Sequence, residues 1–539
     1  MEPLADEEAL HQLSLDVVLR LISRCQRHPS LLICSLVTPG LESPSPFAPI
    51  ASVNDISTSM HRTIDSAPDE AMTLPRRVHL IGAGGAGLSG AARLLVGRGH
   101  LVTGHDRDGS PFSDSLEPLG IQVRTGPSEE AFLPEDAEAV VRSAAVPEED
   151  PQVALARERG LAVHKYSEVL PLLCPPERTL AVAGTHGKTT TSWMLYHALL
   201  GVAGDGPAPG ALVGGTHRQL TSNAVAEGPG GWFAVEACEY DRSFLRLDPR
   251  GAIVTNLEAD HLDYYGTVDA VEEAFARFVH KVHPDGLLVL GRDVPERIEV
   301  GALCEVWRMG RELHVDLLAE ERGHFALRLR GPGWATPPIG LRVPGAFNVE
   351  NAALALAMAI GLPGRGREGE VARGASTELG EFPGVGRRFE SWGLVSGVEV
   401  VHDYAHHPTE VAATLEATRR TFPGLPVHVL FQPHQHSRTA RFLDGFVESL
   451  RQADRVIVAD VYGARVALEE TQVTSEDLAM RLRRAGLESR SAGPAPRAAL
   501  ELVDGVPREA VVLVMGAGDI DRVRDDLLGA LALRRTAQR

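Results

Sequence analysis

Gly184-Thr185-His186-Gly187-Lys188-Thr189-Thr190-Thr191 follows directly on the apolar run Thr179-Leu180-Ala181-Val182-Ala183 and leads into Ser192-Trp193-Met194-Leu195. A strand entering a glycine-rich loop that opens a helix aims backbone N–H groups and the positive end of the helix dipole at one spot, which is a cradle for polyphosphate. Lys188 adds a point charge, and a threonine hydroxyl can reach Mg2+. The spacing departs from the common G-x-x-x-x-G-K loop, because Val182 stands where the first glycine belongs. A bare G-K-T would read as a glycine turn with a surface lysine. Here strand, turn, lysine and hydroxyls agree, so the segment reads as a phosphate-binding loop in an α/β sheet.

The rest of the chain is compatible with that reading. At 539 residues it has room for three or four domains of about 150 residues. Its 44% hydrophobic and 23% charged content is that of a water-soluble globular protein. A net charge of -19 argues against a nucleic-acid partner, which needs basic surface. Anionic nucleotides must then be held by glycine loops and a few cations. The five cysteines form no C-x-x-C pair, which suits a reducing compartment. No apolar run approaches the roughly 18 residues that span a bilayer, and the acidic start is no secretory signal. A cytoplasmic enzyme without membrane partners is expected.

Residues 1–71 stand apart. Residues 10–22 could form one amphipathic helix, but Pro, Ser, Thr and Asp dominate residues 35–68, a composition that reads as a disordered extension. Met72, just before the first clear strand, is a candidate true start. From Arg77 the pattern becomes α/β, with one unit over 72–175, a second over 176–378 and a third over 379–539. The first opens with strand Val78-His79-Leu80-Ile81, then Gly82-Ala83-Gly84-Gly85-Ala86-Gly87, a helix, and a second strand that ends at His105-Asp106. This is G-x-G-x-x-G in a strand–turn–helix setting with an acid about twenty positions on, which alone signals a dinucleotide. Pro175-Pro176 marks the linker to the phosphate-loop strand. Strands expected over 398–403, 427–431, 455–459 and 510–515 alternate with helices, so the third unit should also hold a parallel sheet.

Several strand ends carry candidate chemistry. Trp232-Phe233-Ala234-Val235 delivers Glu236 at its carboxyl end, where α/β sheets bind ligands. A carboxylate beside the phosphate loop suits Mg2+. The next strand ends in Asn256-Leu257-Glu258-Ala259-Asp260-His261, where His261 is either a surface or capping histidine or a ligand to a second metal ion. Asn348 and Asn351 open a helix, as caps or as readers of a base or phosphate edge. In the third unit, two strand ends carry Asp403-Tyr404-Ala405-His406-His407-Pro408-Thr409-Glu410 and Phe431-Gln432-Pro433-His434-Gln435-His436-Ser437-Arg438-Thr439. Four histidines invite zinc, but no cysteine or spaced carboxylate set completes a tetrahedral site. Tyr404, His406 and Arg438 suit a small anionic or amino-acid substrate better.

In this order the motifs resemble the Mur ligase family over about residues 77–530, with the variant phosphate loop, Asn256 with Asp260-His261, Phe347-Asn348-Val349-Glu350-Asn351, Gly386-Arg387-Arg388-Phe389 and Met515-Gly516-Ala517-Gly518-Asp519-Ile520. The resemblance implies Rossmann-like N- and C-terminal domains around a central P-loop ATPase domain with a mainly parallel sheet. It implies ATP-dependent, ADP-forming ligation of L-alanine to the lactyl carboxylate of UDP-N-acetylmuramate in peptidoglycan biosynthesis, with ATP and Mg2+ required. Gly184, Thr185, His186, Gly187, Lys188, Thr189 and Thr190 would then cradle ATP. Asn348 and Asn351 would meet the adenine end, Arg388 the phosphates and Asp403 the ribose. Lys188, Glu236 and His261 would be catalytic, with Thr189, Glu236 and His261 at metal. Gly82, Gly84, Gly85, Gly87, Ser89 and Asp106 would bind the UDP-sugar, which displaces the dinucleotide reading. Tyr404, His406, His434 and Arg438 would shape the alanine pocket. Departures from the family pattern are Cys238 in place of a second acid, Gln435 in place of Arg and His402 in place of Asp. The alternatives are a muropeptide-recycling ligase that joins a tripeptide to the same sugar nucleotide, and a non-catalytic nucleotide sensor.

Overall fold

The computed structural model describes residues 73–463 and 473–537. The extension expected over 1–71, its helix over 10–22 and Met72 lie outside the described residues. Strand β1 (Arg77–Ile81) is buried from its second residue on, as expected for a strand covered on both faces. With β2 (Leu101–Asp106), β3 (Gln122–Thr125), β4 (Ala139–Arg142) and β5 (Ala162–Lys165) it forms an all-parallel sheet of order β3-β2-β1-β4-β5. The strand order reverses beside β1, which opens a crevice at the carboxyl ends, where the loop 82–87 turns into the helix Ala86–Gly97.

The central sheet is built on β6 (Thr179–Ala183), which is buried at every residue. Its side chains alternate: Leu180 and Val182 join a core with Trp193 and Met194, whereas Ala181 and Ala183 join one with Phe275 and Phe278. With β7 (Gly210–His217), β8 (Ser222–Val225), β9 (Phe233–Glu236), β10 (Gly251–Val254), β11 (Leu287–Leu290) and β12 (Glu305–Arg308) it gives the order β12-β11-β10-β6-β9-β7-β8. Only β8 is antiparallel to its neighbour in this sheet. The helix Lys188–Ala203 is buried over the consecutive residues 191–199, so it is apolar all round, as a helix covered on several sides must be. It crosses the helix Glu368–Gly380 so closely that a Cβ on Gly201 would stand 2.0 Å from the Gly374 carbonyl oxygen.

A small antiparallel sheet, β13 (His314–Glu321), β14 (His324–Gly331), β15 (Trp334–Ala335) and β16 (Ile339–Gly340), is inserted before the helix Phe347–Gly361. Sequence reasoning gave no account of it, nor of β7 and β8. The last sheet, β17 (Glu390–Val395), β18 (Val398–Asp403), β19 (Val427–Phe431), β20 (Arg455–Val458), β21 (Glu488–Ser491) and β22 (Ala510–Met515), has the order β17-β18-β22-β19-β20-β21. It is parallel except at β17. Three of its four expected strands have the expected bounds, and the fourth stops at Val458 instead of Ala459. The three-unit, mainly parallel α/β architecture read from the sequence is the architecture observed.

The first two units share a core, because the helix Ala86–Gly97 packs on β7 and β8. Asn223 donates to the carbonyl of Ala86 at 2.6 Å and to the hydroxyl of Ser89 at 3.0 Å. Among the described residues no helix is long and apolar enough to cross a membrane.

Candidate active site at the junction of the three units

The phosphate-type loop is tied down by the end of β10. Asn256 accepts from the His186 backbone N–H at 2.8 Å and donates to the His186 carbonyl at 3.1 Å, while Thr255 donates to the same carbonyl at 2.6 Å. Gly187 has φ +80°, and a Cβ there would meet Asn351 Oδ1 at 2.7 Å, so glycine is required on both counts. Thr185 accepts from the Glu258 N–H at 2.8 Å.

Lys188 Nζ donates to the carbonyls of Gly184 and Thr185 at 2.6 and 2.9 Å and to Glu239 Oε1 at 3.0 Å. Thr189 Oγ1 donates to Glu236 Oε1 at 3.1 Å, and Glu236 Oε2 accepts from the Gly214 N–H at 2.7 Å. The hydroxyl and carboxylate expected at a metal therefore lie side by side. His261, left-handed at φ 53°, stands 3.4 Å from Glu239 Oε1 through Nε2 and packs edge-on against Tyr240.

Glu239 is the residue that sequence reasoning missed. Its side chain is 4% exposed and lies between Lys188 and His261. Burial alone would raise its pKa, but the Lys188 ammonium and then His261 outweigh burial and lower it. Reciprocally, burial works against the Lys188 charge, and Glu239 more than restores it. The available signal was a second acid three residues after Glu236.

A cavity of about 320 Å3 lies between the central and C-terminal units, and Thr190, Asn348, Asn351, Arg388 and Asp403 are in its wall. Neither asparagine is the helix cap: Asn348 donates to the Pro344 carbonyl at 2.7 Å, and Asn351 donates to Asn348 Oδ1 at 3.1 Å. Asp403 accepts from the N–H groups of Phe389 and Ala405 at 2.7 and 2.8 Å, and burial raises its pKa against the pull of Arg388. The Arg388 guanidinium sits 4.9 Å from the Tyr404 ring centre and 3.7 Å from Glu410.

Glu410 ties the two units together. It pairs with His186 Nδ1 at 3.2 Å and with His406 Nδ1 at 3.2 Å, and it accepts from the N–H groups of His406 and His407. Beside it, Thr409 donates to Glu258 at 2.9 Å. Burial disfavours charge on His186, but Glu410 and Glu258 prevail and raise its pKa to about 9. Burial, followed by the nearby His186 charge, lowers His407 to about 4. His186, Glu258 and His407 bring possible ligand atoms within 4.8 Å, and among the described residues no other group of three does so. The four histidines of the two strand-end loops do not assemble into a cage.

Tyr404, His406, His434 and Arg438 do come together. The His406 ring meets those of Tyr404 and His434 edge-on at 5.4 and 5.8 Å, and Arg438 reaches His434 at 3.4 Å. Two partners were not foreseen: Tyr462, which stacks on His434, and Asp260, which accepts from Arg438 at 2.8 Å.

A second cavity, of about 360 Å3, lies at the crevice of the first sheet, with Gly82, Gly85, Gly87, Lys165 and Tyr166 in its wall. Glu236 and Cys238 from the central unit complete it. Gly84 donates to Asp106 at 2.8 Å, so Asp106 caps the glycine turn. Ser89 is a correction: it is fully buried, donates to the Ala86 carbonyl and receives Asn223, so it fastens two units and does not face the cavity. The Thr189–Glu236 hydrogen bond joins the two cavities, since Thr189 lines one and Glu236 the other.

Such a molecule is one in which a phosphate-type loop is flanked by two clefts and enclosed by three α/β units. Family models match as the "Mur ligase family, catalytic domain" over residues 77–175, the "Mur ligase middle domain" over 182–359 and the "Mur ligase, glutamate ligase domain" over 387–518. The chain belongs to the Mur ligase family. It is similar to the UDP-N-acetylmuramate–L-alanine ligase of Rubrobacter xylanophilus, 39% identical over 84% of this chain and 100% of that protein. The enzyme of the same name from Renibacterium salmoninarum is 40% identical over 85% of this chain and 96% of its own. Among solved structures, a UDP-N-acetylmuramate–alanine ligase from Thermotoga maritima superposes with a TM-score of 0.68 at 24% identity, covering 86% of this chain and all of that one.

Proposed function

We propose that the chain joins L-alanine to the lactyl carboxylate of UDP-N-acetylmuramate, splitting ATP to ADP and phosphate, in the cytoplasmic stage of peptidoglycan biosynthesis. The observation that carries this is the Thr189–Glu236 contact at the meeting of two clefts. An ATP γ-phosphate on one side and a sugar-borne acid on the other would meet there. Residues 72–175 would hold the UDP-sugar, 176–378 the ATP and 379–539 the amino acid.

A carboxylate is a poor acyl donor because oxide would be its leaving group. Attack of a carboxylate oxygen on the γ-phosphorus breaks the bond to ADP and gives an acyl phosphate. The alanine amine then attacks the acyl carbon, and the tetrahedral adduct collapses to an amide with phosphate as leaving group. Lys188 and the backbone N–H groups of residues 184–189 would stabilise the transferring phosphoryl charge. Asn348 and Asn351 would hold the adenine end, Arg388 the phosphates and Asp403 the ribose. Tyr404, His406, His434 and Arg438 would orient the amino acid, and Gly82, Gly84, Gly85 and Gly87 the sugar nucleotide. The adjacent hydroxyl of Thr189 and carboxylate of Glu236 fit a Mg2+ ion, and His261, beside Glu239, would serve a second. When bound, these ions would screen the repulsion between carboxylate and phosphate.

The test is phosphate release with ATP, UDP-N-acetylmuramate and each amino acid in turn, with a muropeptide tripeptide in parallel. L-Alanine should give the largest kcat/KM. A preference for the tripeptide would assign a recycling ligase instead, and no amine-dependent ADP release would assign a nucleotide sensor.

A further inference from the structure

Residues 383–389 lead from the central unit into β17 and carry Arg388 to the nucleotide-type cleft. This linker is strapped to the end of β7: Gly386 donates to the Thr216 carbonyl at 2.8 Å, His217 bridges to Val385, and the Arg218 N–H reaches the Gly384 carbonyl. The Arg218 side chain does more. Its Nε donates to the Val385 carbonyl at 3.2 Å and Nη1 to that of Pro383 at 3.4 Å. Nη2 reaches the carbonyls of Arg388 and Phe389 at 3.0 and 2.9 Å. No side chain but arginine offers a planar fork of five donors, which is what four carbonyls around one turn demand.

The turn needs holding. Arg387 and Phe389 are left-handed at φ 62° and 43°, a conformation that costs a non-glycine residue roughly 1–2 kcal/mol. Between them stands Arg388. From the C-terminal side, Asp403 and Glu390 accept the N–H groups of Phe389 and Arg387. From the central side, Arg218 grips the carbonyls of Arg388 and Phe389.

We propose that Arg218 is a positioning residue for the ligation: it fixes the strained linker turn so that Arg388 is presented to the nucleotide phosphates. The proposal rests on the reading of the cleft as an ATP site. Arg218 touches no substrate and acts through Arg388.

Arg218→Met keeps the apolar stem and removes the fork. Full-length Arg218→Met should raise KM for ATP, and the dissociation constant of a non-hydrolysable ATP analogue, roughly tenfold. KM for UDP-N-acetylmuramate should stay within about twofold. In the double variant Arg218→Met/Arg388→Ala, nucleotide binding should be no weaker than in Arg388→Ala alone, because both changes remove one function. Multiplying effects, or an Arg218→Met enzyme with unchanged nucleotide affinity, would overturn the proposal. Should Arg218→Met not fold, as judged by circular dichroism, Arg218→Lys carries the same cycle. Analogue binding is read without alanine or turnover, so a wrong choice of amino acid substrate leaves this test intact. An analogue that fails to bind the unmodified enzyme would count against the ATP site itself.

Discussion

Arg438 of the third unit donates to Asp260 of the central unit across 2.8 Å, one residue before His261. The two side chains are 7% and 10% exposed, so this ion pair is dry as well as close. Burial alone would raise the Asp260 pKa, but the His261 and Arg438 charges and their hydrogen bonds lower it. The Tyr404, His406, His434 and Arg438 cluster and the segment that bears His261 are therefore coupled by one contact.

Removing one partner of such a pair strands the other. Arg438→Ala should lower the unfolding free energy by about 3 kcal/mol. Adding Asp260→Asn should recover part of that loss, since the buried charge is then gone. Urea unfolding of the two variants side by side is the measurement. A double variant less stable than the single one would show that the charge was not the cost.

Lys188→Ala should reduce ADP formation by at least ~100-fold, the usual effect of deleting one stabilising donor from a transferring group. Binding of UDP-N-acetylmuramate, followed by calorimetry, should persist, because that cavity is built from the first unit and the Glu236 segment. Loss of sugar-nucleotide binding in this variant would refute the assignment of the two clefts.

The His186–Glu410 contact should make stability depend on pH at both ends. His186 has its pKa raised from 6.5 to about 9, so its contribution is complete below about 6.5 and disappears as pH climbs through about 9. Burial works against the Glu410 carboxylate, but His406 and His186 hold its pKa well below 4.5. Its contribution is therefore complete above about 4.5 and is lost as pH falls through that lowered value. Thermal midpoints of the natural chain should decline from neutral to about pH 9. In His186→Asn this alkaline slope should be shallower, and an unchanged slope would remove His186 as its source.

Gly201→Ala should be costly although the two residues differ by one methyl group. The new Cβ would stand 2.0 Å from a backbone oxygen, so two helices must separate. Overpacking of this kind costs about 1–3 kcal/mol, which for a domain of this size is a fall of roughly 2–12 °C in melting temperature. Calorimetry measures it directly, and a midpoint equal to that of the natural chain would mean the crossing is slack.

What the sequence made legible follows from locality. β19 and β22 had their bounds read correctly because each is a nearly unbroken apolar run between polar loops, and β18 because its valines lead into the polar strand end His402-Asp403. β7 was missed because Gly210, Gly214 and Gly215 make it resemble a loop; the closeness of Glu236 to Gly214 explains why no side chain fits there. The inserted β13 alternates irregularly and is nowhere buried, so it carries no period-two signal. Strand-end logic pointed to Glu236, Asp403 and the phosphate-type loop, and these line the two cavities. It passed over Glu239, which lies three residues beyond its strand, and Asp260 as the partner of Arg438, 178 residues away in sequence. Ser89 was misplaced because a glycine-loop pattern specifies the turn and leaves open which way a helical side chain faces.

Lys188 does not wait with a bare ammonium; Glu239 and two carbonyls of its own loop already satisfy it. An arriving phosphate must therefore compete for a charge in use, and a solitary inorganic anion gains little by that exchange. A long nucleotide gripped at several points can win it. When the shortened product departs, the same carboxylate is on hand to reclaim the lysine, which resets the loop without drawing on solvent.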